Sequence, residues 1–458
     1  MAAGNPQKLP QDPVLARLLA ASRQISGSET IVHDAFGFEK TYPELLGDVM
    51  QMRHLLRARL PPSAVGEQGF FHEAVPYVAV LARSGYELIV AFFAIRAMGG
   101  AWMTFGSGIL PEEAYYFLSK TKATCMLASK DCFGRAEKIC AYLSEQKDSE
   151  SLTLLPISSD AQPLGNADIA IEDSLPVDSG GPGLVLFTSG TTGLPKATVL
   201  PKRCFAYAQL AEPGSAAINY RPGHWIGGAR SLIEPVVTGT KLYDLGEKAG
   251  ADTVLEAFKT HRITHATFTP LVLRQMKDLM TDGSGELSKE GRKKYSNYFK
   301  GLPTIRCAAG ILGPTTMQFW TDLTGLPFEN VYSSTELGGP ATRAISGIKK
   351  NSIGTPLPGI DVKLSEGDHG ELRVKSPNML THYIGEEEAT RDAFDDEGYF
   401  KTGDLAYLKD GEFVFAGRSN ADYVFFRFYQ ISTLRTTKRK SYAERSFGFD
   451  FIRRQQSK

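Results

Sequence analysis

The chain has 458 residues, 42% apolar and 22% charged, with 51 Lys/Arg against 51 Asp/Glu. These are the proportions of a soluble globular protein of two or three structural units. A net charge of zero gives no electrostatic case for nucleic acid or an anionic membrane surface.

Met1 to Pro13 is polar and proline-bearing, without the basic and apolar runs of a signal peptide. Residues 14–60 read as helical, with Leu15, Leu18, Leu19, Leu45, Met50, Leu55 and Leu56 at helix-like spacing. Val78–Leu81 reads as a buried strand, and Tyr86–Met98 as the helix after it. The apolar stretch Tyr86–Phe105 contains Glu87 and Arg96 and ends in glycines, so it reads as core and not as a membrane span. Cys125–Ala128 starts another strand–helix unit. Five sparse cysteines, Cys125, Cys132, Cys140, Cys204 and Cys307, form no CxxC pair and read as reduced thiols.

Residues 156–183 are rich in Ser, Asp, Gly and Pro and read as a surface linker. Leu184–Phe187 is the next strand. Further strand–helix units are expected at Ile263–Phe268 with Leu271–Met280 and at Thr304–Ala309 with Thr315–Leu323, followed by a strand at Phe328–Tyr332. Such alternation argues for parallel sheet with crossover helices. Past Gly354 the texture becomes short alternating runs, Val362–Leu364, Glu371–Val374 and Glu412–Phe415, separated by turn pairs. That predicts a small antiparallel sheet. From Arg427 to Lys458 there are nine Lys/Arg and two Asp/Glu, a basic tail that reads as solvated.

The strongest chemical signal is Leu186-Phe187-Thr188-Ser189-Gly190-Thr191-Thr192-Gly193-Leu194-Pro195-Lys196. An apolar strand runs into glycines and hydroxyl residues, closed by a lysine. Glycines admit an anion close to backbone N–H groups, hydroxyls add donors, and Lys196 adds a cation. The order is not GxxxxGK(S/T), which excludes the common P-loop.

This run resembles the phosphate loop, TSGTTGxPKG, of the adenylate-forming superfamily of acyl-CoA synthetases, luciferases and peptide-synthetase adenylation domains. Ala197 stands where that family usually has glycine. Further matches follow in the family's order. Tyr332-Ser333-Ser334-Thr335-Glu336, about 140 residues later, is similar to YGxTE. The resemblance places Tyr332 against adenine, Thr335 at the α-phosphate and Glu336 on Mg²⁺. Tyr399-Phe400-Lys401-Thr402-Gly403-Asp404 resembles (W/Y)xxTGD, with Asp404 on the ribose hydroxyls. Gly417-Arg418 opens the GRxDD segment, with Arg418 near ribose and phosphates. Ala309-Gly310 falls at the adenine-wall segment. His224 falls where many acyl-CoA ligases carry a histidine or aromatic near the acyl carboxylate; a structural histidine is the alternative. Arg230 reads either as a contact for a second carboxylate or, more commonly, as a surface arginine.

The resemblance spans roughly residues 30–425. It implies an α/β fold: a large adenylate-forming domain over residues 1–416, with parallel α/β subdomains at 1–183 and 184–353 and a small antiparallel β subdomain at 354–416. A hinge remnant at 417–426 and a non-family tail at 427–458 follow. The expected lid domain, with its catalytic lysine, is not recognisable, and Asn420 stands at the hinge aspartate. Loss of one such electrostatic group costs on the order of 3 kcal/mol of transition-state stabilisation. Weak adenylation and negligible thioester formation are therefore expected of this chain. The implied substrates are ATP with Mg²⁺, a small carboxylic acid and coenzyme A, in a cytoplasmic enzyme. The wording of Ser365–Glu371 and His224–Gly228 looks like ligases of fungal secondary metabolism. A carrier-loading adenylation domain and a silent nucleotide-binding fragment are the other readings.

Overall fold

A computed structural model describes residues 7–62, 64–66, 69–71, 76–146, 152–188, 194–206, 209–345 and 351–419. The expected basic tail, the hinge position Asn420, and Ser189, Gly190, Thr191, Thr192 and Gly193 of the phosphate loop lie outside these residues.

Two large sheets build the site. The first has seven strands in the order His382–Tyr383, Lys196–Pro201, Pro182–Thr188, Ala101–Phe105, Tyr77–Leu81, Cys125–Ala128 and Thr153–Pro156. Its five strands from Pro182–Thr188 onward are mutually parallel, so their carboxyl ends share one edge. The second has eight strands: Ile305–Ala308, Phe328–Ser334, Gly339–Ile345, Ser352–Pro356, Glu412–Arg418, Phe400–Lys409, His369–Lys375 and Asp361–Leu364. It begins with a parallel pair and continues antiparallel. The antiparallel texture read after Gly354 is present, and it continues a sheet that starts at Ile305. A mixed four-stranded sheet and a two-stranded pair complete the architecture.

The helix Tyr86–Arg96 is buried at every position except Glu87 in its first turn, as its nearly unbroken apolar sequence requires. Its one basic residue, Arg96, is 1% exposed, and it pairs with the fully buried Asp12 at 2.6 Å while donating to the Lys202 carbonyl at 2.7 Å. A cation so placed is tolerable only with such partners.

Three expectations fail. Residues 14–60 are not continuously helical: the helices Pro13–Gln24 and Tyr42–Arg59 flank a hairpin of Thr30–Asp34 and Glu39–Thr41. Thr30-Ile31-Val32 is β-branched, and Asp34 accepts from Phe36 N and Phe38 N to close the turn. The segment 156–183 is not only linker, because Ile169–Pro176 pairs in parallel with Gln7–Gln11. Ile263–Phe268 is not a strand; its ladder pairing is confined to isolated bridges at His265 and Phe268.

Candidate active site

The strand Pro182–Thr188 carries the phosphate-loop sequence out of the seven-stranded sheet. The chain returns antiparallel as Lys196–Pro201, with Thr188 opposite Lys196. The two described flanks of the loop are thus held by one ladder. Phe187 stacks on Phe117 at 3.6 Å, and the Tyr116 hydroxyl donates to the Pro195 carbonyl at 3.1 Å, fixing both flanks from the helix Pro111–Thr121.

The strand Phe328–Ser334 delivers Tyr332, and the turn beyond it delivers Thr335 and Glu336. The Thr335 carbonyl accepts from Gly338 N at 3.0 Å. The strands Phe400–Lys409 and Glu412–Arg418 set Asp404 opposite Arg418. The three motifs then join through side chains. The Tyr332 hydroxyl donates to Asp404 Oδ2 at 2.6 Å, and Arg418 Nε donates to Asp404 Oδ1 at 2.6 Å. Burial, then the Asp404 carboxylate, pushes the Tyr332 phenol well above its ordinary range, so it stays a proton donor.

A short ribbon ties the two sheets together. Leu380 N donates to the Glu336 carbonyl at 2.6 Å, Thr381 N to Val199 at 2.9 Å, and Tyr383 pairs opposite Thr198. Lys196 Nζ stands 5.0 Å from the Tyr383 ring centre. Burial raises the Glu336 carboxyl above its usual value, against the opposing pull of Ser334, Arg418 and Lys196. Glu336, Lys196 and Arg418 therefore share one electrostatic neighbourhood.

Ala309 and Gly310 are an exposed turn at the end of Ile305–Ala308, with positive φ of 64° and 156°. Ala308 lies beside Val331 in the parallel register, which brings Ala309 to the same edge as Tyr332. His224 stands apart from these groups. It packs at the end of Ala101–Phe105, where a Cβ on Gly106 would lie 3.2 Å from its ring. No hydrogen bond joins it to the described residues. Burial pulls its pKa down to about 4, so the ring is neutral at physiological pH.

Among the described residues no cluster of three or more His, Cys, Asp or Glu could hold a metal. Glu336 alone fits magnesium, which takes one or two carboxylates and fills its remaining positions with phosphates and water. Sequence reasoning missed Tyr383. Its only signal is the pairing of His382–Tyr383 with Lys196–Pro201, which no local pattern announces.

The AMP-binding enzyme family model matches residues 30–384. The chain belongs to that family. Its curated relatives include the acyl-CoA ligase oryP of Aspergillus oryzae, 33% identical over 92% of this chain and 75% of the relative. A probable CoA ligase of Humulus lupulus is 23% identical over 84% of this chain and 68% of its own length. Among solved structures, the ATP-bound MatB of Rhodopseudomonas palustris superposes with a TM-score of 0.67 at 22% identity, over 88% of this chain and 79% of that one. The N-terminal domain of FACL13 from Mycobacterium tuberculosis superposes with a TM-score of 0.70 at 18% identity, over 89% of this chain and 99% of that one. The α/β fold is that of the adenylate-forming N-terminal domain. As an AMP-binding enzyme the chain is an acid–thiol ligase of the acyl-CoA synthetase kind. No described helix is long and apolar enough to cross a membrane.

Proposed function

We propose that the chain joins a carboxylic acid to ATP as an acyl-adenylate, the first half-reaction of an acyl-CoA synthetase. The observation that supports this best is the convergence of three distant motifs on one edge: Tyr332, Asp404 and Arg418 in one hydrogen-bonded chain, beside Glu336 and Lys196.

The acid's carboxylate oxygen attacks the α-phosphorus, the bond to the β-phosphate oxygen breaks, and pyrophosphate leaves. Little covalent help is needed, so placement and charge dominate. Asp404 and Arg418 hold the ribose end, and Tyr332 and Ala309–Gly310 flank the base. Thr335 meets the α-phosphate, while Thr188, the loop beyond it and Lys196 hold the phosphates. Magnesium bound at Glu336 supplies charge neutralisation on the phosphates. His224, neutral at its pKa of about 4, can orient the acid without adding charge. Kinship to a fungal acyl-CoA ligase supports a place in fungal secondary metabolism.

The test is carboxylate-dependent ATP–pyrophosphate exchange with Mg²⁺ across fatty, aryl, hydroxy and dicarboxylic acids. Exchange with one class, abolished in Lys196→Ala, is the expected result. Nucleotide binding without exchange for any acid would favour the silent nucleotide-binding reading.

A further inference from the structure

A cavity of about 470 Å³ lies against the carboxyl edge of the seven-stranded sheet, and none of the adenylation motifs lines it. Its size is that of a small-molecule site. Tyr77–Leu81 leads on to Ala101–Phe105 on one side of it in the strand order, and Cys125–Ala128 leads on to Thr153–Pro156 on the other. Arg83, Gly85 and Glu87 follow the first of these strands, and residues 129–131 follow Cys125–Ala128, so the cavity sits where the connections diverge. Crevices at such switch points are where open parallel sheets bind ligands. Asp34, Phe36 and Phe38 of the Thr30–Thr41 hairpin and residues 157–160 complete the walls.

Helix N-termini at such crevices draw anions, but here that place is taken. Tyr86 N, at the start of the helix Tyr86–Arg96, donates to Asp34 Oδ2 at 2.9 Å, and Asp34 Oδ1 accepts from Phe36 N and Phe38 N. The walls carry four carboxylates, Asp34, Glu87, Asp131 and Asp160, against Arg83 and Lys130. Arg83 pairs with Asp131 at 3.3 Å, and among the described residues no cation lies within ion-pair distance of Glu87 or Asp160. The Glu87 carboxylate accepts only a long bond, 3.4 Å, from Lys130 N. Burial raises its pKa, and the charges of Asp131 and Asp34 add to this, a cost that a bound ammonium would relieve. Ser129, 1% exposed, also lines the cavity; its hydroxyl has no oxygen or nitrogen partner among the described residues, and the Cys132 thiol lies beside it. The aromatic walls already face cations. Lys40 Nζ lies 5.1 Å over Tyr86 and 5.9 Å over Phe38, and the Arg83 guanidinium lies 5.3 Å over Phe36. Rings and carboxylates together suit an ammonium group with an apolar body.

We propose that this cavity is a second small-molecule site, which takes a primary amine with a short apolar body: the ammonium meets Glu87 and Asp160, and the body lies along Phe36 and Phe38. The proposal goes beyond the adenylation reading and does not depend on it. Calorimetry on the full chain compares pentylamine and phenethylamine with pentanol and phenethyl alcohol, which match them in shape and lack the charge. At least one amine should bind about tenfold or more tightly than its alcohol, the worth of one charge-assisted hydrogen bond. Glu87→Gln keeps the shape and should reduce that preference to about twofold or less. Asp160→Asn, at an exposed position, should weaken amine binding about threefold. Thermal melting checks that both variants fold. Saturating AMP tests the place and should leave amine binding unchanged. No measurable amine binding, equal binding of amine and alcohol, an undiminished preference in Glu87→Gln, or displacement of the amine by AMP overturns the proposal. If Glu87→Gln does not fold, undiminished amine binding in Asp160→Asn overturns it instead.

Discussion

Asp404 shows what a single residue carries here. Its two oxygens serve different partners, Tyr332 and Arg418, so one carboxylate sets the geometry of two motifs. Asp404→Asn keeps the shape and loses the charge. ATP should then bind about 10- to 100-fold more weakly, as charge-assisted hydrogen bonds of ~1.5–3 kcal/mol are lost. Tyr332→Phe removes one neutral donor and should cost about 1 kcal/mol. Calorimetric titration of ATP into each variant checks the ranking; equal losses would contradict the pivotal place of Asp404. His224 makes a separate claim about acid stability. Its pKa is about 4 in the folded chain against an ordinary 6.5, so the unfolded chain takes up the proton first. The stability this imidazole supplies is complete above about pH 6.5 and is lost as pH falls toward 4, by at most ~3 kcal/mol. In urea titrations, His224→Asn should lose less stability than the parent between pH 7 and 4.5. A parallel decline in both would dismiss the idea. At this scale the sequence was highly legible. Tyr332, Asp404, Arg418 and Glu336 converge as their motifs imply. Tyr383 was not legible, because its significance lies in Lys196 on a neighbouring strand far back along the chain.

Elements were legible where one period ran uninterrupted. The helix Tyr86–Arg96 and the strands Tyr77–Leu81 and Cys125–Ala128 each carry an unbroken apolar run. The hairpin at Thr30–Thr41 was masked by leucines at helical spacing on both sides. The pairing of Ile169–Pro176 with Gln7–Gln11 joins strands some 160 residues apart, beyond any local signal. The ribbon at His382–Tyr383 is equally silent in sequence, yet it aligns Lys196. Tyr383→Ala should weaken the hold on the ammonium by about 1 kcal/mol and slow pyrophosphate exchange roughly fivefold. Tyr383→Phe keeps the ring face and should exchange at the parent rate. If Phe is as slow as Ala, the ring is not what matters. In the other sheet, Gly354 sits at φ 75° where the ladder shifts register, and any Cβ would overlap the Arg343 carbonyl. Gly354→Ala should cost about 2–4 kcal/mol in urea denaturation, combining backbone strain with overpacking. A change below half a kcal/mol would mean the ladder relaxes freely.

The whole molecule places its site across a seam. Lys196 and Thr188 come from the seven-stranded sheet, whereas Tyr332, Asp404 and Arg418 come from the eight-stranded one. Between them the described backbone links of the ribbon are Leu380 to Glu336 on one side, and Thr381 to Val199, Tyr383 to Thr198 and Ile384 to Ala197 on the other. A nucleotide that touches both sets of side chains therefore acts as a cross-link. At a hundredfold excess over its dissociation constant, such a ligand stabilises the folded chain by about 2.7 kcal/mol. That gain should be distributed to both sheets, since neither can open without releasing the ligand. Hydrogen exchange with and without Mg·ATP provides the readout. Protection should rise together in Lys196–Pro201 and in Glu412–Arg418, and Lys196→Ala should abolish it in both. Protection confined to one sheet would show that the nucleotide rests on that sheet alone, and the shared site argued from the Tyr332–Asp404–Arg418 chain and its neighbour Lys196 would have to be given up.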